Sequence, residues 1–116
     1  MAFYLVLVPA LIRGWNWIQL PAVIYATMIA GVTGIIVFGV ETHICVYQTV
    51  RDLAHVGYRV HVPHDAVCSR DPENMRVGLV LAERAGATVT STETILFDLL
   101  GRAGSPEFKT ISNLVK

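Results

Sequence analysis

Cys45 is the residue in this chain whose type and placement can do chemistry. It closes the stretch Ile35-Ile36-Val37-Phe38-Gly39-Val40-Glu41-Thr42-His43-Ile44-Cys45. An apolar, β-branched run of strand length stops at Gly39, and a helix-compatible pattern starts within a few residues, with Thr42 available as N-cap. That puts Cys45 in the first turn of a helix, just past the carboxyl end of a strand, where open α/β sheets place their reactive groups. The positive end of a helix dipole and unpaired backbone N–H groups both favour thiolate over thiol. The pattern therefore marks a candidate nucleophile. The competing reading is a small apolar core residue, since free cysteine is among the most buried residue types.

Other ionisable groups point to less. His61 and His64 are three apart in a strand pattern, fall on opposite faces and make a poor metal pair. Asp65, at a strand end, suits a loop clamp that accepts backbone N–H groups. Cys68 reads as a small packing residue. Two cysteines among 116 residues make neither a disulfide framework nor a zinc site, which fits a reduced, cytoplasmic setting. Nine basic side chains balance nine acidic ones, so bulk electrostatics gives no reason to expect a nucleic-acid partner.

The elements needed to hold Cys45 follow from pattern. Ile35–Val40 reads as a strand and His43–His55 as a helix stopped by Gly57. Tyr58–His64 is a strand closed by Pro63. Asp71-Pro72 is an N-cap followed by proline at the first helical position, opening a helix to about Arg84. Gly86 stops it and Ala87–Thr90 is a short strand. Thr90-Ser91-Thr92-Glu93 has the form of a capping box ahead of a helix through Leu100. Ser105-Pro106 caps a last helix. Strand alternating with helix implies an α/β fold with parallel pairing and right-handed crossovers.

Gly39-Val40-Glu41-Thr42-His43-Ile44-Cys45 closely resembles the nucleophile motif of the isochorismatase-like hydrolases. Asp65-Ala66-Val67-Cys68-Ser69-Arg70, Ser91-Thr92-Glu93 and Ser105-Pro106-Glu107-Phe108-Lys109 carry the resemblance onward. It is closest to the subgroup named "isochorismatase domain-containing". It covers residues 34–116, corresponding to the C-terminal half of the family's domain. It implies a three-layer α/β/α, Rossmann-like sheet, present here as a half-domain of about three strands. It implies that Cys45 attacks a carbonyl carbon, that of an amide in the first place, in a small-molecule substrate, giving an acyl-enzyme that water hydrolyses. The backbone N–H groups of Glu41 and Cys45 would hold the oxyanion. A non-proline cis peptide at Val40–Glu41 would turn one of them inward, with Thr42 and His43 beside the substrate. For His43 a solvated loop position is the favoured reading. No cofactor is implied, and no metal, because the metal site of the nicotinamidase branch belongs to the family's first half.

The resemblance also defines an absence. The family's chemistry uses an Asp from its first strand and a Lys from a later strand end, both upstream of the cysteine. Upstream of Glu41 the only charged side chain here is Arg13. A helix dipole contributes about 0.3–1 kcal/mol, whereas general-base assistance contributes about 10²–10⁴-fold in rate. The chain alone is therefore expected to be inactive or nearly so. A non-catalytic, truncated or membrane-tethered α/β module is the alternative.

Residues 1–33 form an apolar segment unlike the family, expected to be helical around 22–32 and to pack on the half-sheet. Ala22–Val40 carries no charge and meets the length rule of about 18 residues for a membrane span, with Trp15 and Trp17 as interfacial anchors. That span would consume Ile35–Val40, which the motif needs as a strand. Without the family's first strand, the Ile35–Val40 edge would lie open. Residues 1–33, another copy of the chain, or non-specific association would have to cover it. Homo-oligomers are expected on that ground, and a truncated gene product fits the whole pattern.

Overall fold

The computed structural model describes residues 3–8 and 33–116. Its strands are β1 (Phe3–Val8), β2 (Gly34–Val40), β3 (Arg59–Pro63), β4 (Val67–Cys68) and β5 (Thr88–Thr90). Its helices are α1 (Tyr47–His55), α2 (Pro72–Arg84), α3 (Thr92–Leu100) and α4 (Pro106–Leu114). A π-type turn, Thr42–Val46, leads into α1, and a 3₁₀ turn, His64–Ala66, separates β3 from β4.

Every described strand pairing is parallel, in the order β1-β2-β3-β5, with β4 also on β2. β2 takes β3 along its first half, where Ile35 lies opposite Val60, and β4 along its last residues, where Val40 lies opposite Cys68. β3 meanwhile moves on to β5, with Val62 opposite Val89. This is the strand–helix–strand order expected from the sequence, with Ile35–Val40 beside the Arg59–Pro63 strand.

Alternation along β2 divides the two faces. Ile35 and Val37 are fully buried with Val60 and Val62 of β3, under Val46, Val50 and Leu53 and against Ala82 of α2. Burying an aliphatic side chain of this size contributes about 1.5–3 kcal/mol, so this face holds the fold together. Ile36 and Phe38 point the other way. With Pro63, Ala66, Thr92, Ile95, Leu96 and Leu99 they line an open apolar groove of about 310 Å³ against α3.

Two expectations about the first third change. Phe3–Val8, inside the segment expected to be helical, is a strand, and it pairs in register with β2 from Phe3 opposite Gly34 to Val8 opposite Gly39. The Ile35–Val40 edge is therefore covered, by this chain's own residues, and the described strands exceed the three expected. Since Gly34–Val40 is strand, no single helix runs over Ala22–Val40, and no described helix is long and apolar enough to cross a membrane. The helix expected at 22–32, with Trp15 and Trp17, lies outside the described residues.

Local signals place the helix ends. The Asp71 carboxylate accepts from Glu73 N–H and Asn74 N–H, with Pro72 at the first position of α2. Ser105 accepts from Phe108 N–H to open α4. At α3 the cap is Ser91, which accepts from Thr94 N–H, so the box starting at Thr90 sits one residue too early. Asp65 reaches across 27 residues to the same helix end, where its Oδ1 accepts from Thr92 N–H at 2.8 Å and Thr92 Oγ1–H at 3.0 Å.

Those two bonds, the backbone one foremost, hold the Asp65 carboxyl below the ordinary carboxylate range. A depressed folded-state value gives stability that is present above the unfolded value of about 3.9 and lost as pH falls through the lower folded value. Asp65→Asn should accordingly lower the urea midpoint at pH 7, and the difference from the parent should shrink as pH falls below about 3.9. A constant difference across that range would contradict the clamp.

Candidate active site

The chain turns sharply where β2 ends. Gly39 has φ 134°, a conformation that favours glycine, and the next peptide bond, Val40–Glu41, is cis. Glu41 then occupies the N-cap position with extended backbone and no side-chain cap bond, so the expected Thr42 cap is not used. The Glu41 carbonyl instead accepts from Ile44 N–H and Val46 N–H, each at 3.2 Å. The second is the wide spacing that makes the turn π-type, and the pair passes over the Cys45 N–H. Cys45 is partly exposed in this turn. A thiol and a main-chain donor thus share the first turn beyond the strand's carboxyl end, an arrangement that can stabilise charge developing on a carbonyl oxygen.

The neighbours of Cys45 take different positions. Thr42 is fully buried, and its hydroxyl has no hydrogen-bond partner among the described residues. Thr42 N–H donates to Ser69 Oγ at 3.0 Å, and His43 Nδ1 lies 3.0 Å from the same oxygen. His43 is therefore held in a partly buried position, not free in a solvated loop; its side chain is 20% exposed. Glu41 accepts from Arg70 N–H at 3.1 Å and pairs with Arg70 Nε at 3.2 Å. The Arg70 side chain is mostly in solvent, so the ion pair itself contributes little. The backbone bond does the fixing. Cys68 is exposed, with its S–H on the Ser69 carbonyl at 3.5 Å, and is not the packing residue expected from sequence.

A second element presses on the turn from another side. A Cβ built on Gly78 of α2 would lie 2.6 Å from His43 N, 2.7 Å from the Thr42 carbonyl carbon and 2.8 Å from His43 Cα. All three are backbone atoms, which cannot step aside as a side-chain tip can. The turn that carries Cys45 is thus tied down through Ser69 and Arg70 and packed against glycine. Neither Ser69 nor Gly78 stands out in the sequence, because each acts from more than 25 residues away.

Opposite, β1 ends at Val8 beside Gly39, so its carboxyl end lies at the same end of the sheet as the Cys45 turn. The sequence brings no Asp, Glu or Lys there; residues 1–40 contain Arg13 as their one charged side chain. Among the described residues no group of three or more His, Cys, Asp or Glu could hold a metal.

Residues 24–94 match the isochorismatase domain family. A secreted isochorismatase effector, Isc1, of Phytophthora sojae is 46% identical over 82 residues, which is 71% of this chain and 39% of that protein. Isochorismatase domain-containing protein 1 of Salmo salar is 41% identical over 86 residues, 74% of this chain and 30% of the relative. Among solved structures, one titled as the MAR1 ribonuclease from Caenorhabditis elegans superposes with a TM-score of 0.71 at 31% identity. It covers 93% of this chain and 51% of its own. The chain thus spans two fifths or less of the length of these curated relatives and about half of the solved neighbour.

The Gly78 contact gives a direct test of how the turn is held. Gly78→Val should destabilise the chain by about 1–3 kcal/mol, the usual cost of forced overpacking. The largest amide shifts should fall at Thr42 and His43, with little change in α3. An unchanged unfolding midpoint would contradict the close approach.

Proposed function

We propose, for a chain that belongs to the isochorismatase domain family, a cysteine-hydrolase site that keeps its nucleophile and lacks the groups needed for turnover. The observation that carries this reading is the position of Cys45, in the first turn after the carboxyl end of the buried strand β2. Its sulfur attacks the carbonyl carbon of a small amide or related C–N or C–O substrate. The oxyanion is received by the N–H groups of Glu41 and Cys45, with His43 at the rim. The bond to the leaving group breaks, an acyl thioester remains on Cys45, and water releases the acid. Both halves of that cycle move a proton, and both benefit from a base.

No base comes from β1. The carboxyl end of that strand lies at the same end of the sheet as the Cys45 turn, yet the sequence there reads Leu7-Val8-Pro9-Ala10. Losing general-base assistance costs about 10²–10⁴-fold. A site with a nucleophile, an oxyanion cradle and no base acylates with an activated ester and then stalls. A non-catalytic α/β module is the second reading, favoured by that same missing carboxylate, and in it Cys45 does not acylate selectively.

Peptide mapping by mass spectrometry separates the two readings. After brief exposure of the full chain to 4-nitrophenyl acetate at pH 7, the acetyl adduct should sit on Cys45 in preference to Cys68. This is expected even though Cys68 is the more exposed thiol. Equal labelling, or labelling of Cys68 alone, would support the non-catalytic module and remove the hydrolase reading.

A further inference from the structure

Ser69 joins the loop after β4 to the nucleophile turn, and it does so with one oxygen atom. Its Oγ accepts from Thr42 N–H at 3.0 Å and lies 3.0 Å from His43 Nδ1. The residue is only 8% exposed. A hydroxyl has one proton to give and two lone pairs. The Thr42 N–H uses one lone pair, which leaves the Ser69 proton free to be given to Nδ1 of the His43 ring. A ring that accepts at Nδ1 keeps its proton at Nε2, where it is a donor.

The trio does not make Ser69 a nucleophile. In a Ser–His–carboxylate relay the hydroxyl and the carboxylate address opposite ring nitrogens. Here Glu41 Oε2 lies 3.8 Å from Nδ1, the same nitrogen that meets Ser69. The Glu41 carboxylate is also occupied by the Arg70 N–H and guanidinium. What the geometry provides is a brace: Ser69 and Arg70, adjacent in sequence, grip Thr42–His43 and Glu41, the residues from which the Cys45 turn starts.

We propose that Ser69 is a positioning residue for Cys45, acting through Thr42 and His43. Its hydroxyl fixes the Thr42 N–H and orders the His43 ring with Nδ1 as acceptor. The Nε2–H is then the ring's donor toward a substrate carbonyl or ring nitrogen. The catalytic part of this inference rests on the hydrolase reading above; the structural part does not.

The test uses the full chain carrying Cys68→Ser, so that Cys45 is the only thiol, with and without Ser69→Ala and Ser69→Thr. Amide hydrogen exchange reads the Thr42 N–H, nitrogen NMR reads the His43 tautomer, and acylation by 4-nitrophenyl acetate reads Cys45. In Ser69→Ala the Thr42 amide should exchange about tenfold faster, while Val37 and Val60 in the core strands keep their protection. The His43 tautomer preference should weaken and acylation should slow several-fold. Ser69→Thr, which keeps the hydroxyl, should recover most of each change. Equal Thr42 exchange and equal tautomer populations in the parent and Ser69→Ala would overturn the proposal. So would a Thr42 amide in the parent that exchanges like an exposed loop amide, an outcome readable even where Ser69→Ala fails to fold. Absence of any Cys45 adduct in the parent sinks the hydrolase reading instead, and the first two readouts still decide the brace.

Discussion

β2 has to be paired on both edges. Its residues Ile35 and Val37 are buried without exposure and Ile36 nearly so, which leaves no solvent to satisfy main-chain N–H and C=O groups. On one side the pairing comes from β3 and β4 in succession, on the other from β1. Everything with chemical character depends on that strand being held: Gly39, the turn at Glu41 and the first helical turn with Cys45 all issue from its carboxyl end. A strand with an open edge would have left Cys45 on the least stable part of the sheet and presented an association surface as well.

The same pairing makes the site asymmetric. On the β4 side the support for Cys45 is dense, with Ser69, Arg70 and the close approach of Gly78 all acting on three consecutive residues. On the β1 side the backbone is present and in register, but the sequence provides no ionisable carboxylate or ammonium. Positioning and charge have come apart. Positioning alone gives a nucleophile a defined line of attack, while proton transfer needs a group whose charge can change. The curated isochorismatase domain relatives are longer than this chain, whose matching residues span 39% and 30% of their lengths.

Much of the fold was legible because its signals are local. Ile35-Ile36-Val37 reads as strand by β-branching, Gly57 and Gly86 as stops, Asp71-Pro72 and Ser105-Pro106 as helix starts, and Asp65 as a clamp. Cys45 was legible as a nucleophile candidate from the strand–turn–helix pattern alone. β1 was not, because Phe3–Val8 is an apolar run whose state is decided by pairing with β2, and tertiary context overrides weak propensity. The π-type spacing of Thr42–Val46, with the Glu41 carbonyl accepting from Val46 N–H, has no local sequence pattern. Ser69 was one letter in a matching block. Its role appears only when Thr42 N–H and His43 Nδ1 are found on the same oxygen.

The central claim is that Cys45 is a placed nucleophile without a base, and the amount of product released per chain tests it most directly. With excess 4-nitrophenyl acetate at pH 7, a placed nucleophile without a base gives a burst of nitrophenolate approaching one equivalent of Cys45, followed by release no faster than that of Cys45→Ala. Sustained turnover over many equivalents, abolished in Cys45→Ala, would contradict it and show that the chain supplies a base from residues not recognised as one.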